Sequence, residues 1–151
     1  MTLSPAGLDR IKRYEGFRNH VYDDAAGLPT IGWGHLIKAG EPFTSESKLT
    51  MAEAEALLAR DVNPVILGVE SLLEVEVTQD AFDAMVSFAF NAGLGALRNS
   101  SFLRAVNGLE SNDVIRDKLC LWNKITDPHT GTKIVSAGLA VRRADEARAW
   151  P

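Results

Sequence analysis

Between Tyr14 and His35 the chain reads "YEGFRNHVYDDAAGLPTIGWGH", and no helical repeat survives there. Two β-prone pieces, "FRNHVY" and "PTIGWGH", flank "DDAAGL", whose aspartates and glycine are strong turn formers. This predicts a small hairpin over residues 17–36. No comparable stretch recurs, so the rest of the chain must be set against one short β unit.

Helix signals surround it. Ser4 suits an N-cap, Pro5 suits the first helical position, and Leu8, Ile11 and Glu15 follow at spacings of three and four, with Gly16 as the stop. Thr50 and Glu53 have the spacing of a capping box at the head of "TMAEAEALLARDV", and Pro64 is expected to open a second helical run through Leu73. Thr78 caps "QDAFDAMVSFAFNAG", where Phe82, Met85, Val86, Ala89 and Phe90 recur at helical intervals until Gly93 and Gly95. This helix is the expected buried centre. Shorter runs go from Ser101 to Asn107 and from Ser111 to Trp122, and "GLAVRRADEARAW" closes the series. "NKITDPHTGTK" reads as a polar connection with a turn at Asp127 to Gly131. The prediction is a single α+β domain over residues 1–151 with a cleft between two lobes. The N-terminal lobe takes roughly residues 14–60, and the helical lobe takes the first helix with roughly residues 61–151.

A composition of 46% hydrophobic and 24% charged residues is that of a soluble globular chain. No apolar run suits a secretory leader or approaches the roughly 18 residues of a spanning helix, which predicts cytoplasmic synthesis and no stable membrane insertion. Cys120 is the only cysteine, and its setting, "KLCLW", suggests packing and not a catalytic thiol. His20 and His129 have no partner at metal-ligand spacing, so neither a metal nor another cofactor is expected.

A net charge of −4 argues against a general nucleic-acid binder. The charge is uneven, however: Glu41 to Phe90 holds ten acids and two bases. Arg10, Lys12, Arg13 and Arg18 lie near one end and Arg142, Arg143 and Arg148 near the other, so a locally basic surface is expected if the ends meet.

Three carboxylates sit in or beside the hairpin. Glu15 shares a helix face with Leu8 and Ile11 and ends that helix, where apolar surroundings and the negative end of the dipole favour a protonated carboxyl. That suits a general acid; Arg18 opposes it, and a surface glutamate closing a helix is the plain alternative. Asp23 and Asp24 compete for a second role. Neighbours in extended chain face opposite ways, so one of them is expected to face the cleft. Asp24, in a solvated turn, is suited to orient water, and Thr30 on the returning strand could hold that water. Two carboxylates in contrasting settings are what glycosidic-bond cleavage needs.

The spacing of Glu15, Asp24 and Thr30, followed by "IGWGH", resembles the lysozymes of T-even phages and their lambdoid relatives, glycoside hydrolase family 24. "LTMAEAEALLARDV", "VTQDAFDAMVSFAFNAGLGAL", "SSFLRAVNG" and "GLAVRRADEARAW" are similar to that family's later segments in the same order. The resemblance implies a lysozyme-like fold and a muramidase that cuts the β-1,4 bond between N-acetylmuramic acid and N-acetylglucosamine in peptidoglycan. It implies Glu15 as general acid, Asp24 as the carboxylate that positions or activates water, and Thr30 as its helper. Inversion, the outcome known for the family, needs carboxyl groups roughly 6.5–9.5 Å apart.

The resemblance also implies saccharide contacts at Leu36, Phe90 and Ser100. Core packing for the first two and helix capping for Ser100 are the alternatives. Trp33, Trp122 and Trp150 could stack on sugars but at helical spacing are more often core. The expected partner is bacterial peptidoglycan, met by a monomeric phage or prophage endolysin after a separate pore-forming protein opens the membrane. A sequence pI near 5.4 departs from the basic character common in such enzymes. The alternatives are a lytic transglycosylase acting on the same bond, against which Asp24 and Thr30 argue, and a catalytically silent wall-binding module.

Overall fold

The computed structural model describes all 151 residues. Helix α1 (Pro5–Glu15) begins where the Ser4 side chain accepts the Gly7 N–H, and ends at Gly16, whose φ of 67° a side chain would resist. Strands β1 (Arg18–Asp23), β2 (Pro29–Gly32) and β3 (His35–Leu36) follow as an antiparallel sheet in that order. The expected hairpin therefore gains a third strand. Thr30 lies opposite Tyr22 on one side and Leu36 on the other.

Helix α2 (Met51–Leu72) starts with the reciprocal Thr50–Glu53 capping box. The expected break at Pro64 is absent, because the helix runs through the proline. Pro64 removes one backbone bond and costs about 3 kcal/mol. Leu58, Val62 and Val69 are buried on either side of it. At roughly 1.5–3 kcal/mol for each such side chain, their burial outweighs the lost bond. The helix is about 33 Å long and packs on β2 and β3 as well as on helices of the body.

Helix α3 (Gln79–Ala92), capped by Thr78, is the expected centre, with every residue from Ala81 to Ala89 buried. α1 and α2 pack against it, as do the later α4 (Leu94–Asn99) and α7 (Ala137–Ala147). α1 docks closely because Gly7 has no side chain: a Cβ there would stand 2.6 Å from Asp83 Cγ. Asp83 in turn accepts the Ser4 N–H at 3.1 Å.

Gly93 ends α3, as expected, but the chain re-enters a helix at once as α4. α5 (Ser101–Asn107) and α6 (Asn112–Cys120) complete the body before α7. The polar connection is more ordered than expected: β4 (Lys124–Thr126) and β5 (Lys133–Val135) pair as a second hairpin with Ile125 opposite Ile134. Its turn is held by Asp127, which accepts the His129 N–H at 2.7 Å.

Trp33 and Trp150 are buried, and Trp122 stands edge-on to Phe88. Burial raises the proton affinity of the Cys120 thiol, consistent with a packing role. No helix is long and apolar enough to cross a membrane.

The chain ends do meet, and the expected basic surface forms there in part. Arg142 and Arg143 are buried. Arg10, Arg13 and Arg148 all approach Asp145, at 3.3, 3.7 and 3.7 Å.

Candidate active site

Glu15 is the last residue of α1, so its side chain leaves the helix where the backbone turns towards the sheet. The carboxylate is 20% exposed, and Arg142, 5% exposed, donates from Nη1 to Glu15 Oε1 at 2.9 Å. The cation facing Glu15 thus comes from the far end of the sequence, where Arg18 was expected. On its other side Glu15 meets Gly34, which has φ +72°; a Cβ there would lie 2.9 Å from Glu15 Oε2. The glycine lets the sheet close against the carboxylate.

Arg142 is itself fixed from three directions. Nε donates to Glu146 Oε1 at 3.2 Å, Nη2 donates to the Ser87 carbonyl at 3.1 Å, and the guanidinium lies 5.1 Å from the Tyr14 ring centroid. Ser87 Oγ donates to Glu146 Oε1 at 2.7 Å. Arg143 Nη1 and Glu146 Oε2 face each other at 3.2 Å without hydrogen-bond alignment. Burial pushes the Glu146 carboxyl up from its ordinary value, against the pull of Arg143, Ser87 and Arg142. Burial likewise lowers the proton affinity of Arg143.

Asp24 opens the turn between β1 and β2, and its Oδ1 accepts the N–H groups of Ala26 at 2.8 Å and Leu28 at 2.9 Å. One carboxylate oxygen is thus used to shape the turn, while Oδ2 makes no hydrogen bond within the chain. Asp23, the competing acid, is an exposed strand residue paired with Pro29. Thr30 is buried and donates its hydroxyl to the Leu28 carbonyl at 2.9 Å. Asp24 and Thr30 are therefore tied to the same residue of the turn.

A groove of about 510 Å³ opens beside this cluster, lined by Gly34, His35, Leu36, Lys38, Glu41, Arg60, Asp61, Pro64 and Phe90. Leu36 and Phe90, both predicted for saccharide contact, come together here, and Leu36 is 41% exposed. Glu15 borders a separate recess of about 490 Å³ with Phe17, Arg18 and His20, and Gly34 stands between Glu15 and the groove. Asp24 and Thr30 line neither hollow. Ser100 is not brought to the groove. It is 2% exposed, accepts the Leu103 N–H at 2.9 Å and donates to the Leu97 carbonyl at 2.7 Å. That is a helix cap.

One groove wall is held by His35, whose Nδ1 lies 2.6 Å from Asp61 and whose Nε2 lies 2.9 Å from Glu41. Glu41 also accepts the Lys38 N–H at 2.9 Å and an Arg60 N–H at 2.8 Å. The Lys38 backbone bond, then the His35 and Arg60 contacts, lower the Glu41 pKa to about 2. Sequence reasoning did not find this trio or Arg142. The available signal for Arg142 was the pair of arginines placed three and four residues before Glu146 on one helix.

A small sheet set against a helical body, with a glutamate presented at the end of the first helix, is the lysozyme-like α+β fold. A family described as phage lysozyme matches residues 12–146, and the chain belongs to it. The endolysin of Bacillus phage B103 is 38% identical over 148 residues, which cover 97% of this chain and 52% of that relative. The chain thus spans about half the length of that relative. Among solved structures, the endolysin from Escherichia coli O157:H7 phage FAHEc1 superposes with a TM-score of 0.91 at 37% identity, covering 99% of this chain and 93% of its own. The muramidase domain of SpmX from Asticaccaulis excentricus gives 0.87 at 32% identity, covering 99% and 97%.

Proposed function

We propose that the protein is a muramidase that hydrolyses the β-1,4 bond between N-acetylmuramic acid and N-acetylglucosamine in peptidoglycan. The observation that carries the reading is the Glu15 carboxyl, held in place by a buried arginine beside a saccharide-sized groove in a chain of the phage lysozyme family. Glu15 donates its proton to the glycosidic oxygen as the bond breaks. Asp24 orients the attacking water through Oδ2, since Oδ1 is committed to the turn. Thr30 Oγ1, with its proton turned to Leu28, presents lone pairs that can accept from that water. The water adds to the anomeric carbon, and its proton leaves through Asp24.

Leu36 and Phe90 supply apolar surface for sugar rings, while Ser100 acts by capping α5. The endolysin names of the relatives support a role in host lysis. The reading extends to a monomeric enzyme made in the host cytoplasm and admitted to the wall once the membrane is opened.

The test is digestion of purified Gram-negative peptidoglycan by the wild type and by Glu15→Gln, with muropeptides read by mass spectrometry. Reducing muramic acid ends that disappear in the variant are expected. Anhydro ends would make the protein a transglycosylase, and an intact polymer with both proteins would refute catalysis.

A further inference from the structure

Arg142 presents a full positive charge to Glu15, which works against a carboxyl that has to carry a proton. The chain places a second carboxylate behind that arginine. Glu146 is 0% exposed and accepts from Arg142 and from Ser87. Arg143, 1% exposed, faces Glu146 from the other side and stacks 4.8 Å from the Phe88 ring centroid. Glu15, Arg142, Glu146 and Arg143 therefore form one chain of alternating charge, three of whose four members are buried. A buried ion pair is a poor stabiliser against apolar side chains of similar size, so stability alone does not explain the arrangement.

We infer that Glu146 is a positioning residue that offsets the charge of Arg142, and that Arg143 limits this offset from the other side of Glu146, so that Arg142 can hold the Glu15 carboxyl in place without stripping it of its proton. This rests on the reading of Glu15 as proton donor. The other groups around the cluster are Tyr14 on α1, Ser87 and Asn91 on α3, and Cys120 on α6, with Arg18 and His20 on the solvent side of Glu15. Tyr14 is neutral near pH 7, since burial and Asp145 raise its pKa. Cys120 is likewise held neutral by burial. Glu146 is thus the buried anion available to offset Arg142, and Arg143 the buried cation that limits the offset.

The inference makes predictions of opposite sign. Glu146→Gln leaves Arg142 unopposed, and the Glu15 titration midpoint should fall by about one pH unit. Arg143→Gln leaves Glu146 in excess, and the midpoint should rise by up to about one unit. The double variant removes one charge of each sign and should return the midpoint to within a few tenths of a unit of the wild type.

The measurement is carbon-detected NMR titration of the glutamate carboxyls, with Glu15 assigned from its loss in Glu15→Gln. In parallel, the alkaline limb of kcat/KM on peptidoglycan should move with the midpoint in each variant, with KM nearly unchanged. If Glu146→Gln does not fold, Arg143→Gln and the double variant carry the test. Folded variants that lose thermal stability while the Glu15 midpoint stays where the wild type has it would overturn the inference and leave a purely structural cluster. The titration does not depend on turnover, so shifted midpoints in a protein inactive on peptidoglycan would refute the proposed function and keep the charge balance.

Discussion

Arg142 Nη1 lies 2.9 Å from Glu15 Oε1, and the arginine that makes this bond is only 5% exposed. Its remaining donors go to Glu146 and Ser87, so the guanidinium has little freedom to swing away. Arg142→Gln removes a buried partner from two carboxylates and is expected to cost about 3–5 kcal/mol of stability, read as a lowered urea midpoint. Arg142→Lys keeps the charge without the planar fork, and is expected to recover part of the stability while leaving activity at least about tenfold down.

Gly34→Ala places a methyl group 2.9 Å from Glu15 Oε2 on a backbone with φ +72°. The strained backbone alone should cost about 1–3 kcal/mol. The displaced carboxylate should reduce kcat more than KM, which steady-state kinetics would separate.

Asp24→Asn is expected to lose nearly all hydrolytic activity, while Asp23→Asn retains it. Asp24 Oδ1 holds two backbone N–H groups and its Oδ2 makes no hydrogen bond within the chain, whereas Asp23 is an exposed strand residue. A dead Asp23→Asn beside a live Asp24→Asn would reverse the assignment.

Ser100→Ala removes the N-cap of α5 and should cost about 1 kcal/mol. KM for peptidoglycan should not change, because the hydroxyl is buried and fully engaged. A raised KM at unchanged stability would restore Ser100 as a saccharide contact.

The Glu41 carboxyl has its pKa lowered from 4.5 to about 2 by the Lys38 N–H, His35 and Arg60. A carboxylate that titrates lower in the folded chain than in the unfolded chain stabilises the fold above the unfolded value, and this contribution is lost as the pH falls towards 2. Chemical denaturation between pH 6 and about pH 2 should therefore show falling stability, with a shallower slope in Glu41→Gln. Glu53, held low by Thr50, contributes in the same direction and should leave part of the slope in that variant.

Local chemistry made much of this fold legible. Ser4, Thr50, Thr78, Ser100 and Ser111 each accept a backbone N–H at a helix start, and such caps can be read from adjacent residues alone. The turn at Asp24 was equally local. Pro64 misled because the burial that carries α2 through it depends on helices still to come in the sequence. The second hairpin was hidden by three-residue strands with too few positions to show alternation. The arginines of α7 read as surface charge because their partners, Glu15, Ser87 and Asn91, lie on other helices. The spacing singles out Glu15, Asp24 and Thr30 as candidates, but it holds no sign of the arginine that binds Glu15.

Glu15 and Arg142 stand 127 residues apart in the chain. During synthesis the acid leaves the ribosome early, and the arginine that holds it is made only after the sheet, the long helix and the central helix have emerged. Closing so long a loop carries an entropic cost that only the assembled body can meet. A nascent chain that stops short of residue 142 therefore carries Glu15 without the arginine that holds it, and the cluster is completed only when the last helix is made.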